Sequence, residues 1–212
     1  MDQFKLSGKI FWYTLAGVAV AEAVSYVGFR FHTFQLIAFA AVAIATLILS
    51  LWRLRYAFYV VCAELIVGSF GYLLWWQVGD FRISIRLAMF LAIFTGWVVF
   101  ATRNRRFDFQ QSGLWKPFLF FLASIVLGVL IGYVRGNDLT NIFFDVNGYL
   151  YFGLLFVAAA VVTNWNRIAA VLQVLAAAAL MTSMKTVWLL YYFSHQQNEN
   201  SFRLMYRWVR DT

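Results

Sequence analysis

Between Ile10 and Phe193 the chain is a succession of apolar runs, separated by short clusters of Arg, Lys, Asn and Asp. This pattern constrains the fold more than any single motif. About 20 apolar residues in a helix cross the roughly 30 Å hydrocarbon core of a bilayer. A backbone in that medium must satisfy its own N–H and C=O groups, which leaves helices as the open-chain solution. The runs predict seven spans, at about 10–29, 34–52, 56–78, 83–101, 114–134, 146–163 and 168–193. The expected fold class is all-α, a polytopic transmembrane bundle forming one domain over 1–212. Composition agrees, with 63% hydrophobic and 12% charged residues, against about 45–50% and about 25% in soluble domains.

Orientation follows from the basic residues. With the N-terminus inside, Lys5, Lys9, Arg53, Arg55, Arg103, Arg105, Arg106, Lys116 and Arg167 lie on the inner side. Arg30, Arg82, Arg86 and Arg135 lie in the outer loops. That excess predicts a cytoplasmic N-terminus, and an odd number of spans then places the tail outside. The polar stretch at 133–153 falls on the same outer side as that tail. Lys5 and Lys9 before an apolar stretch, with Ala19-Val20-Ala21 after it, also resemble a signal peptide. Because the run continues to Phe29, retention as the first membrane helix is the better reading.

The net charge of +8 does not imply nucleic acid. Basic residues bordering membrane helices follow from the positive-inside bias and from anionic lipid heads. The single Cys62 excludes an intrachain disulfide. His32 and His195 stand apart, so no metal is expected, since a site needs several convergent ligands. The signatures of soluble enzymes, such as a P-loop, HExxH or Gly-x-Ser-x-Gly, are missing from the sequence.

Glu22, Glu64 and Lys185 are placed inside apolar helices, where a charge is costly unless paired or hydrated. The structural reading pairs Glu22 with Lys185, locking the first and seventh helices, with Glu64 bonded to Ser or Tyr neighbours. The functional alternative is a proton or ion path, which normally needs a longer chain of such groups.

A second constellation is basic. Arg82, Arg86 and Arg135, with Arg203, Arg207 and Arg210 in the tail, lie on the predicted outer side. A guanidinium matches phosphate bidentately and keeps its charge, so several of them suit a lipid-linked diphosphate. Singly, each can equally snorkel to lipid head groups.

Three segments in order carry a resemblance: AELIVGSFGYLLWW at 63–76, ISIRLAMFLAIF at 83–94 and GYVRGNDLTNIFFDVNGYLYFGLLF at 132–156. Together they are similar to the N-terminal half of the O-antigen ligase and O-antigen polymerase-like membrane glycosyltransferases. The resemblance implies a larger fold, of which 1–212 is the N-terminal part. It also implies transfer of a glycan from an undecaprenyl-diphosphate carrier to a lipid, glycan or protein acceptor at the outer face of the bacterial inner membrane. That scheme needs no cofactor, metal or nucleotide-sugar. Positions matching the family are Arg86, Arg135, Gly136, Asn137, Asp145 and Tyr149. In this reading Arg86, Arg135, Arg207 and Arg210 are candidates for the diphosphate, and the catalytic residues stay unassigned. Gly136 and Asn137 shape the turn, while Asp145 caps the sixth helix or orients Arg135. The rivals are a transporter or lipid-glycan flippase subunit using Glu22, Glu64 and Lys185, and a non-catalytic membrane subunit.

Overall fold

The computed structural model describes residues 5–68, 73–78, 81–105, 113–195 and 205–209. Its order is α1 (Lys9–Arg30), α2 (His32–Val67), β1 (Trp75–Val78), β2 (Phe81–Ser84), α3 (Ile85–Asn104), α4 (Trp115–Val134), α5 (Leu139–Leu150), α6 (Leu154–Val161) and α7 (Trp165–His195). A 3-10 turn at Tyr151–Gly153 joins α5 to α6, and 205–209 form a last helical turn. Among the described residues five helices (α1, α2, α3, α4 and α7) are long and apolar enough to cross a membrane by length and composition. The chain is a helical membrane protein.

α2 has 36 residues but is not one rod. Arg53 leaves helical geometry at φ −144°, ψ 72°, and the contacts on either side show how sharply. A straight helix from Gln35 to Glu64 would be about 44 Å long. Yet Gln35 donates to the Trp75 carbonyl at 3.3 Å, and Glu64 accepts from Arg86, just past β2. Trp75 in turn pairs with Ser84 across the strands. Both ends of α2 therefore meet one short segment, while Ser50, near the break, donates to the Ala92 carbonyl far along α3. α2 folds back on itself at Arg53, so the expected separation of 34–52 from the next helix holds, with a single-residue break as the turn.

The predicted helix 56–78 is corrected at its far end. The helix stops at Val67, and 75–78 pair as an antiparallel strand with 81–84, in the register Trp75↔Ser84, Trp76↔Ile83, Gln77↔Arg82, Val78↔Phe81. A short apolar run is ambiguous between helix and strand. Here Trp75 and Trp76 suit a strand, and the sequence between the strands, Gly79-Asp80, is of turn-forming residue types. A two-stranded sheet has open edges and cannot face hydrocarbon. Its Arg82 lies 4.9 Å over the Trp75 ring, and Trp76 is exposed, as suits a membrane–water interface. The predicted start of the next helix at 83 moves to Ile85, where Ser84 Oγ accepts from the Leu87 N–H at 3.2 Å and caps α3.

The core lies between both halves of α2, α3, α6 and α7, where Ala57, Ile93, Val157, Val174 and Ala178 are fully covered. Gly96 explains how closely α2 and α3 approach: a Cβ there would meet the Ser50 side chain and stand 2.9 Å from its carbonyl carbon. Small residues permit such approach between membrane helices, whose association rests on packing more than on hydrophobic burial. α4 is attached differently. Phe118 is its one buried residue, and the Phe118 and Phe121 rings lie 5.0 and 4.8 Å from those of Phe156 and Phe152.

These contacts define two ends. At one, the hairpin end, Ser25 donates to the Leu73 carbonyl at 2.6 Å and the Ile85 N–H to the Leu74 carbonyl at 2.9 Å. At the other, Gln173 near the start of α7 donates to the Lys5 carbonyl at 2.8 Å. α1 and α7 both run from the second end toward the first, so the N-terminal residues and the turn at 205–209 stand at opposite ends.

Candidate functional site

The buried charges are paired. Lys185 Nζ donates to both Glu22 oxygens at 2.7 and 2.9 Å, joining α7 to α1 as expected. Trp208 covers the pair: its ring lies 4.9 Å from Lys185 Nζ, and its Nε1 donates to Ser25 Oγ at 3.3 Å. A cavity of about 460 Å³, lined by Tyr26, Met184, Trp188 and Met205, adjoins these groups.

Glu64 does not rest on Ser or Tyr neighbours. Its carboxylate accepts from Arg86 Nε at 3.2 and 3.0 Å, and Arg86 Nη2 donates to the Gly68 carbonyl. Arg86, a diphosphate candidate from the sequence, is thus already engaged by protein groups. It is not a free cation facing outward but a guanidinium held at the start of α3 by a buried carboxylate and a helix-end carbonyl. Its carbon Cζ also lies 6.0 Å from the Tyr151 ring. Glu64 and Arg86 lie on antiparallel helices, and the antiparallel strand pair between them brings the two to similar depth.

Arg135, Gly136 and Asn137 form the end of α4. Gly136 has φ +75°, its N–H donates to the Tyr133 carbonyl at 3.0 Å, and the Asn137 N–H to the Gly132 carbonyl at 3.1 Å. This is a Schellman ending, with glycine in the left-handed position that a Cβ would strain. Arg135 is the residue just before it and is exposed. Asp145 sits within α5, exposed, so it does not cap the following helix. Asp138, whose carbonyl accepts from the Ile142 N–H at 3.1 Å, precedes α5 instead. Among the described residues no salt bridge links Asp145 to Arg135. Tyr149 is exposed, with its ring edge-on to Phe121 at 5.9 Å. Arg207 is exposed on the last helical turn, and Arg210 lies outside the described residues.

One residue escaped the sequence reading. Asn147, on α5, has a buried Oδ1 with no hydrogen-bond partner. The helical face that hides it is not legible until α5 is packed, so only its place in the Asp-x-Asn-x-Tyr stretch marked it. Among the described residues no cluster of three or more His, Cys, Asp or Glu could hold a metal ion.

α4 runs toward the hairpin end. Its first turn packs with Phe118 against Phe156, which also lies 5.2 Å from Trp97 on α3, and Phe121 lies against Phe152. Phe152 neighbours Gly153, which packs on Phe90 nearer the start of α3. Arg82, Arg86, Arg135 and Arg207 thus come from four elements toward one end of the molecule, though only Arg86 has a fixed side-chain partner of opposite charge among the described residues. Compared with family models, curated proteins and solved structures, the chain has no significant match.

Proposed function

We propose that this membrane protein is part of a glycan-transferring assembly of the O-antigen ligase or polymerase kind, resident in a bacterial inner membrane. Its hairpin end faces the extracytoplasmic side in a seven-span arrangement. The donor is a polyprenyl-diphosphate-linked glycan, and the acceptor a lipid, glycan or protein hydroxyl. In the transfer the acceptor hydroxyl gives its proton to a base and its oxygen bonds to the anomeric carbon as the bond to the lipid diphosphate breaks, and negative charge grows on the departing phosphate. Cationic donors at that point lower the barrier by stabilising the charge that develops on the leaving group.

The observation that carries this reading is the gathering of Arg82, Arg86, Arg135 and Arg207 at one end, with Arg86 immobilised by Glu64 and the Gly68 carbonyl. Arg86 acts here as an anchored, largely neutralised element that positions the start of α3. Arg135, exposed and without a carboxylate on it, is the better diphosphate ligand. A transporter reading would need a chain of ionisable groups across the membrane. The two buried acids instead each meet one cation.

The test is glycan transfer in cells, scored with Arg135→Lys and Arg135→Ala alongside the unaltered protein. Loss of transfer in both, with membrane levels unchanged, is the expected result, because lysine lacks the bidentate fork. Full transfer in both variants removes Arg135 from the site.

A further inference from the structure

A second cavity, of about 520 Å³, runs between α1 and the half of α2 that follows Arg53. From α1 it is lined by Ile10, Gly17 and Val24, and across from them by Tyr56, Val60 and Glu64. On α1 the lining extends from residue 10 to residue 24, about 21 Å of helix. A leaflet's hydrocarbon is roughly 15 Å deep, half of the core. The groove is therefore long enough for an acyl chain that starts at the interface and ends near the midplane. It is open along one side, and a Cβ built on Gly17 would meet nothing within 4 Å. At the hairpin end it closes on Leu74 and Ile85. Arg82 lies three residues before Ile85, and Arg30 closes α1. Among the described residues neither of these arginines makes a salt bridge.

We propose that this groove is a binding site for one acyl chain of an anionic phospholipid, its phosphate turned toward Arg30 and Arg82. The wall is mostly apolar, with Glu64 and tyrosine side chains the exceptions, and cations stand beyond both ends. At the end away from the hairpin Arg55 already donates to the Tyr56 hydroxyl at 2.9 Å, and at Gly17 the gap is left open where a larger side chain would fill it. Within a bilayer such a slot takes lipid from the side, and the rim charges select the head group. The site does not depend on glycan transfer.

The experiment places the full chain in nanodiscs of phosphatidylglycerol and phosphatidylcholine, with one or the other carrying a mid-chain diazirine. After illumination, labelled peptides are mapped by mass spectrometry. The expected result is labelling at Tyr13, Tyr56 or Glu64 well above that on the lipid-facing side of α4, and stronger from phosphatidylglycerol. Gly17→Leu should lower the groove label about tenfold, as should Val60→Phe from the opposite wall, while α4 labelling stays constant. Using both walls guards against one variant that folds poorly. Arg30→Gln with Arg82→Gln should erase the preference for phosphatidylglycerol. Groove labelling no stronger than on α4, or unchanged by both filling variants, would overturn the site. Displacement of the label by a few mole per cent of undecaprenyl phosphate would replace the phospholipid as occupant. Disulfide-linked dimers of Gly17→Cys would put protein there instead.

Discussion

Lys185 and Glu22 are 163 residues apart in sequence and 2.7 Å apart in space, so the seventh helix is bonded to the first deep in the packed structure. Both side chains are largely covered, at 17% and 9% exposure. Removing one partner leaves an uncompensated charge, which costs about 3–5 kcal/mol at buried sites. Lys185→Met and Glu22→Gln should each lower the melting temperature in detergent, and the double variant should lower it less than either alone. Equal, additive losses would mean that the two groups do not depend on each other.

Arg86 should behave unlike Arg135. Arg86→Ala leaves Glu64 without its cation, so a loss of about 3–5 kcal/mol is expected there. Arg86→Lys keeps the charge but cannot serve the carboxylate and the Gly68 carbonyl with one rigid fork, and should fall in between. Arg135→Ala, at an exposed helix end, should change stability by less than about 0.5 kcal/mol. Chemical unfolding of the three variants checks the order.

The packing of Ser50 on Gly96 predicts that Gly96→Val is far worse than Gly128→Val. A Cβ at Gly96 enters the Ser50 backbone, whereas at Gly128 it meets nothing within 4 Å. Overpacking typically costs about 1–3 kcal/mol. Unfolding of both variants in the same detergent reads the difference directly.

Asn147 Oδ1 is buried without a partner. An unmet buried polar group costs about 1–3 kcal/mol. Asn147→Leu should therefore leave stability equal or raised. A marked fall would reveal a hydrogen bond that this packing does not contain.

Cysteines at Asn137 and Arg207 should react with a membrane-impermeant maleimide from one side of the membrane, and a cysteine at Lys5 from the other. The contacts of α1, α4 and α7 put the first two at the hairpin end and Lys5 opposite. Reaction of all three from the same side would contradict that arrangement.

Most helices were legible because a run of apolar residues near membrane length has few other uses. The run 10–29 became Lys9–Arg30, 114–134 became Trp115–Val134, and 168–193 lies within Trp165–His195. Glu22 and Lys185 could be paired beforehand because both fall in the outer half of such runs, at similar depth, where an unpaired charge is costly. The strand pair at 75–84 was not legible, since Trp75 and Trp76 prolong the apolar run before them and each strand, at four residues, is too short to show a period. That error concealed the Glu64–Arg86 pair, because a longer helix would have carried Glu64 away from the start of α3. Asp145 was misjudged for a related reason. Its stretch reads as a polar break, but Asn141, Asp145 and Gly148 fall on exposed positions of a helix that has already begun.

The single-residue connections at Phe31 and Arg53 bear on how the protein enters a bilayer. The part of α2 after Arg53 has only 14 helical residues, Leu54 to Val67, short of the about 20 that insert unaided. With no loop before it, that part cannot wait at the surface while its predecessor settles. The two halves of α2 must leave the translocon as one folded-back unit, and lengthening the Arg53 turn by several residues should uncouple them, leaving the second half stranded on the side where it was made.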